Sequence, residues 1–350
     1  MPPLLSSTLA PAAARTQPFV LLQTSTAQQC LDVIRYALLE TTSKAEGCTL
    51  LFSLLYPPST LVERSQLAAD RLQTFDWTSH VPGYDDDDFD IKSEMLRVVQ
   101  DAPQGPLTVI IDSVDTILSD MGSISKAEQL LASLLSLVKS RKGFRLVVHL
   151  HAPSPLTTIL TQTRFSSSLT HVIAHPTALI THLATAYLTP PPPLSPPEKF
   201  WRVFIPIAER HYESEKLIFG SEGEGSGGSE FVAEILVRGA DGNGRRRGVE
   251  RVLEGWSGGA PCELSALVAL KTLFVKRAAE EATPDPTQNL SFNLNLTDEQ
   301  QRSRAQVPLP YAHEGKPMEK ASMPPPAAIL YDPDSADDLD DDDPDEDLDI

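Results

Sequence analysis

Cysteine is scarce in this chain. There are three in 350 residues, Cys30, Cys48 and Cys262, with no Cys-x-x-Cys pair among them. That spacing excludes a disulfide framework and a cysteine-based zinc site, and it points to a reducing compartment. Glycine is missing until Gly47, and no Gly-Lys-Ser or Gly-Lys-Thr occurs; the single Gly-Lys, Gly315-Lys316, runs into Pro317. A phosphate loop needs glycines so that backbone N–H groups can wrap phosphates, and a lysine for the terminal phosphate, so a conventional nucleotide site is excluded. No apolar run approaches membrane-spanning length, and Met1-Pro2-Pro3 opens without the charged and apolar regions of a secretory signal, which leads us to expect a soluble protein with no membrane partner. Residues 1–31 lack acidic side chains, but Arg15 alone cannot make the cationic face of a transit peptide, and residues 1–17 are expected to be a disordered lead-in. Positive charge is also in deficit: the formal net charge is -19. Twelve acidic residues and no Lys or Arg fall in 332–350, so the rest of the chain carries only about -7, too acidic for a basic nucleic-acid-binding domain but compatible with local basic patches.

What is present organises itself around Leu107–Ile111, an apolar, β-branched stretch entered through Pro103 and Gly105-Pro106 and ended by Asp112-Ser113. It is too short for a core helix and reads as a strand buried on both faces. An acidic residue at the carboxyl end of such a strand occupies the place where P-loop NTPases hold Mg²⁺. Before it we expect a strand at Phe19–Leu22, a helix from about Gln28 to Glu40, a strand at Thr49–Leu55 and a helix to about Leu72 begun by a Thr60/Glu63 capping box. After it, a Ser125/Glu128 capping box opens a helix with Ala127, Leu130, Leu131, Leu134, Leu135 and Val138 on one face, closed by Gly143, and Arg145–Leu150 follows as a parallel strand. His171–Ala174 and the stripe Leu179, Leu183, Ala184, Tyr187 continue the alternation, which defines an α/β sheet, mainly parallel, with helices on both faces.

Pro190–Pro197 is a stiff polyproline spacer. Beyond it, Phe200–Ile207, Phe231–Arg238 and Gly248–Leu253 read as antiparallel strands added to the sheet's edge, joined by glycine-rich loops at 220–229 and Gly239–Gly248, with a closing helix at Leu264–Phe274. The sequence therefore divides into a lead-in (1–17), an α/β domain (18–281) with loops at 190–197 and 220–229, an extended docking segment (282–331) and an acidic disordered tail (332–350).

The site residues are weighed against this frame. The loop after the first strand, Gln23 to Gln29, holds neither glycine nor lysine, so Asp112 occupies a Walker-B-like position without function, and its better reading is a cap on the strand end or a subunit contact. His149 and His151 share one face of a strand, with His171 and His175 elsewhere; no Asp or Glu lies close to them in sequence, so satisfied strand histidines outweigh a metal site. Ser113 lacks a nucleophile-elbow setting. We expect no catalytic residue, cofactor or metal. Arg245, Arg246 and Arg247, in a glycine-flanked loop, are the best candidates for phosphate contacts, against the plainer reading of a solvated hairpin tip. In the docking segment, Phe292, Leu294 and Leu296 alternate as one face of an extended strand, and Leu309 and Tyr311 follow in Val307-Pro308-Leu309-Pro310-Tyr311; apolar anchors in a polar chain suit docking to a neighbouring subunit or to the sheet's own edge.

The stretches SFNLNLTDEQ, VPLPY, ILYDPDSADDLD and the terminal DPDEDLDI resemble the carboxyl-terminal pattern of the Elongator complex protein 5 family, fungal type, and VIIDSVDTIL resembles its central strand and following turn. The resemblance is specific over about the last sixty residues and looser across the body. It implies a RecA-like P-loop NTPase fold without its P-loop, and a non-catalytic role. It further implies assembly with Elongator subunits 4 and 6 into a hexameric ring, association with the remaining Elongator subunits, contact with tRNA through the assembled ring in support of wobble uridine modification, and residence in cytoplasm and nucleus. Rival readings from other classes are a stand-alone divergent ATPase using Asp112 and an acidic-tailed adaptor or chaperone for basic proteins.

Overall fold

A computed structural model describes residues 3–44, 47–63, 71–80, 90–141, 143–221, 223, 228–240 and 246–275, together with Glu299 and Arg302. Through the body the chain alternates strand and helix: β1 (Phe19–Ser25), α2 (Leu31–Lys44), β2 (Cys48–Ser53), α3 (Pro58–Leu61), β3 (Leu72–Asp76), α4 (Ile91–Asp101), β4 (Leu107–Ile111), α5 (Val114–Met121), α6 (Ile124–Ser140), β5 (Phe144–Ala152), α7 (Pro155–Leu160), β6 (Leu169–Pro176) and α8 (Thr177–Ala186). A short α1 (Leu4–Leu9) precedes them, and α9 (Pro197–Ala208), α10 (His211–Phe219), β7 (Phe231–Ala240), β8 (Arg246–Ser257) and β9 (Ala260–Cys262) follow. The nine strands form one sheet in the order β3-β2-β4-β5-β1-β6-β7-β8-β9. The first six in that order pair in parallel and the last three are antiparallel additions. One strand, β5, separates β1 from the Asp112-bearing β4, and β2-β4-β5-β1-β6 forms the centre of the sheet.

The parallel strands are apolar on both sides because helices cover both faces. Val109 and Ile111 of β4 join Leu130, Leu131 and Leu134 of α6 in one core layer, whereas Ile110 joins Val33, Ile34 and Leu38 of α2 in the other. A third apolar cluster, from Leu179, Phe200 and Phe204 to Leu264 and Leu270, covers β7 beyond the parallel strands.

Several expectations are corrected. The lead-in is ordered in part. Leu5 and Leu9 of α1 are buried, Glu254 of β8 accepts the backbone N–H groups of Leu4 and Leu5, and the buried Arg145 donates to the carbonyls of Leu9 (2.6 Å) and Ala10 (3.0 Å). A carboxylate at its start and a guanidinium at its end match the helix dipole and satisfy end groups that a helix cannot pair internally. Phe200–Ile207 is helix rather than strand, because Phe200, Phe204, Ile207 and Ala208 fall on one helical face and Pro197 fits the first turn. Thr60 caps nothing: it sits inside α3, its hydroxyl donating to the Pro57 carbonyl. Leu72 begins a strand. α6 starts one residue before Ser125 and ends at Ser140, while Gly143 uses its positive φ of 83° to turn the chain into β5. Leu264–Phe274 is two 3₁₀ turns leading into helix rather than one continuous helix.

Candidate functional site at the carboxyl edge of the sheet

In an open α/β sheet ligands bind beyond the carboxyl ends of the strands. Here that edge carries Asp112 after β4, His149 and His151 in β5, the loop after β1, and His175 in β6. Asp112 is fully buried, and its carboxylate accepts three backbone N–H groups from the segment after β2: Leu54 at 2.8 Å, Leu55 at 2.9 Å and Tyr56 at 2.7 Å. Burial pushes its carboxyl up from the usual carboxylate range, and those hydrogen bonds oppose the shift. The next polar groups are committed in the same way. Ser113 caps α5 by accepting the Thr116 N–H, and Asp115 accepts the His151 N–H (2.7 Å) and the Ser154 hydroxyl (2.5 Å). Asp112 therefore caps the turn after the neighbouring strand.

The loop after β1 is closed on itself. The Ser25 N–H donates to the Gln28 carbonyl (2.9 Å), the Thr24 hydroxyl donates to the same carbonyl (2.8 Å), and the Gln28 N–H returns to the Ser25 carbonyl (3.2 Å). Ala27 and Gln28 are buried, and the Gln28 amide donates to the carbonyls of Gln29 and Gly228, both at 3.1 Å. A phosphate loop leaves its N–H groups pointing at an anion. This loop turns two of them inward and has no lysine.

The histidines resolve singly. His149 is buried with Nδ1 2.6 Å from the Asp112 carbonyl, an arrangement that places the proton on Nδ1, while His151 is exposed. Among the described residues no group of three or more His, Cys, Asp or Glu side chains is arranged to hold a metal ion. Nor is any described helix long and apolar enough to cross a membrane. Cys30 is buried, and burial pushes its thiol up to about 12, which leaves it unreactive.

Sequence reasoning missed one buried polar cluster. His175 Nε2 donates to Glu234 Oε2 at 2.8 Å, Arg251 Nε to Glu234 Oε1 at 3.1 Å, and His171 Nε2 lies 3.0 Å from Gln23 Oε1. The carboxylate partner judged absent for the histidines arrives from β7. Burial acts to raise the Glu234 carboxyl, but the hydrogen bond from His175 and the positive charges around it win and hold it below the usual range. The available signal was Glu234 itself, an acid inside the apolar run Phe231–Val237, since a charge there requires a partner.

His171 carries a pH prediction. Burial lowers it from 6.5 to about 4, so as pH falls the unfolded chain takes up this proton first. Its contribution to stability is complete above pH 6.5 and is lost as pH falls toward 4, amounting to about 2 kcal/mol between pH 7 and pH 5. Urea unfolding at those two pH values should give a His171→Gln variant a stability loss smaller than wild type's by that amount; equal losses would remove His171 from the account.

Where the remaining candidates lie is plain. Arg246 and Arg247 open β8; their side chains, and Arg245, are outside the described residues. Phe292, Leu294, Leu296, Leu309 and Tyr311 also lie outside them.

Fold and site together define a mainly parallel α/β protein in which the loop after the first strand is closed on itself and Asp112, at the end of a central strand, is a structural cap. Residues 246–332 match the family model of Elongator subunit Iki1. The chain is similar to Elongator complex protein 5 of Danio rerio (38% identical over 78 residues, 22% of this chain and 26% of the relative) and to that of Homo sapiens (40% over 70 residues, 19% and 23%). The similarity to Elongator complex protein 5 lies in the carboxyl-terminal part of the chain, and the matched stretch spans about a quarter of the length of those relatives. Among solved structures it is similar to a KaiC-like protein, PH0186 of Pyrococcus horikoshii OT3, at 10% identity and a TM-score of 0.38, covering 70% of this chain and 88% of that one.

Proposed function

We propose that the chain is a non-catalytic RecA-like subunit of the Elongator complex. In this reading it assembles with Elongator subunits 4 and 6 into a hexameric ring, within the full complex of cytoplasm and nucleus, and supports modification of the tRNA wobble uridine. The observation that carries the subunit role is the family match over residues 246–332. The non-catalytic part is supported by the site: the hydrogen bonds of Asp112 and of the loop after β1 leave neither the aspartate nor the loop arranged for Mg²⁺-nucleotide. That argues against the stand-alone ATPase reading. Arg245, Arg246 and Arg247 are this chain's proposed phosphate contacts to tRNA.

Phe292, Leu294 and Leu296 are the proposed docking anchors, because each large apolar side chain left in water forgoes about 1.5–3 kcal/mol of burial. Copurification of subunits 4 and 6 tests this reading. The double variant Phe292→Asp with Leu294→Asp should lose both partners, and truncation after Tyr331, which removes only the acidic end, should keep them. The reverse pattern would move the anchor into the tail and favour the adaptor reading, and a wild-type chain that retains neither partner would remove the subunit assignment.

A further inference from the structure

β8 is paired along one side by β7, but on its other side β9 covers only Gly255–Ser257. Among the described residues no strand pairs with the outer edge of Arg246–Glu254, and Gly248, Val249 and Glu250 are exposed there, Val249 to 60%. An edge of this length left open by the described residues is a template for another strand. Beside it runs a groove of about 730 Å³ walled by Pro193, Pro196, Trp201, Arg251, Leu253 and Leu264. The groove is held open from below. Arg251 lies over the Trp201 ring, 5.6 Å from its centroid, and is fixed by its bond to the buried Glu234, while Leu253 packs into the cluster of α8 and α9.

We propose that the outer edge of β8 receives an extended strand from another subunit of the complex, carrying apolar side chains at alternate positions and basic residues between them. The backbone donors and acceptors of Glu250–Glu254 select an extended segment. Successive side chains of a strand point to opposite faces, so Arg251 and Leu253 share the face of the groove and ask for apolar partners, whereas Glu250 on the other face asks for a cation. The family match points to the same element: it begins at Arg246, the first residue of β8, so this edge strand leads the portion of the chain that resembles subunits of a multiprotein complex. The inference rests on the subunit reading above and names a further contact surface of that assembly, beside the anchors proposed at Phe292, Leu294 and Leu296.

Hydrogen exchange of the full chain, alone and co-expressed with Elongator subunits 4 and 6, tests it. Amides of Arg246–Glu254 that face away from β7 should exchange freely in the isolated chain and at least about tenfold more slowly in the complex. Glu250→Lys, a change at an exposed position that should leave the fold intact, should weaken partner binding about five- to tenfold. If the complex forms while these amides stay unprotected, the docking edge is elsewhere and the subunit reading stands. Protection already present in the isolated chain would mean that the edge is occupied without a partner, by this chain or a second copy, and would overturn the proposal. A wild-type chain that captures neither subunit would overturn both readings.

Discussion

Replacing Asp112 with alanine should lower the unfolding free energy by about 3–5 kcal/mol, because it strands three backbone N–H groups that a charged acceptor now satisfies. A net hydrogen bond to a charged group contributes roughly 1.5–3 kcal/mol, and water reaching the half-exposed Leu55 and Tyr56 end of the turn keeps the sum below three full bonds. Asp112→Asn, which keeps one carbonyl oxygen, should lose roughly half as much. Urea unfolding of the two variants decides between a structural and a nucleotide role for this residue. A Mg²⁺ ligand removed from an exposed site relieves charge and costs little stability, so a loss below about 1 kcal/mol would contradict the capping role.

The second large effect belongs to Glu234. Glu234→Ala removes the shared acceptor of His175 and Arg251 from a site that is 3% exposed. Breaking a buried ion pair by deleting one partner costs about 3–5 kcal/mol, since the surviving donors lose their compensation. Glu234→Gln, with one oxygen left to accept, should fall between. The same deletion releases Arg251 from its position over Trp201, so the groove beside β8 should loosen before the fold does. Tryptophan fluorescence that shifts ahead of the global urea transition would register this, and a single coincident transition at wild-type stability would refute the assignment.

These two residues also mark how far the sequence could be read. Leu107–Ile111 was legible to the residue because five apolar or β-branched positions between proline and aspartate admit one structure, and the stripe of α6 was legible because Ala127 through Val138 repeat at helical spacing. β3 was not. As an edge strand, Leu72–Asp76 buries only its first residue, and Gln73 and Thr74 face water, so neither an alternating nor a continuous apolar pattern marks it. Phe200–Ile207 misled because Pro206 and its bulky apolar residues imitate a short strand, and only Pro197 with the spacing of Phe200, Phe204 and Ile207 betrays the helix. α1 depended on Glu254 and Arg145, which reach it from 249 and 136 residues away, a distance no local pattern spans. At the site, the missing phosphate loop was fully legible as an absence of glycine and lysine. What replaced its chemistry was not, because the partners of Asp112 are backbone groups with no side-chain signature, and the partner of His175 comes from a strand 59 residues further on.

The proposed role is assembly without nucleotide, with Asp112 and the loop after β1 committed to structural hydrogen bonds. Calorimetric titration of the full chain with ATP and Mg²⁺ tests it most directly. The account predicts no saturable heat up to physiological nucleotide concentration, in wild type and in Asp112→Asn alike. Saturable, Mg²⁺-dependent binding that disappears in Asp112→Asn would contradict it.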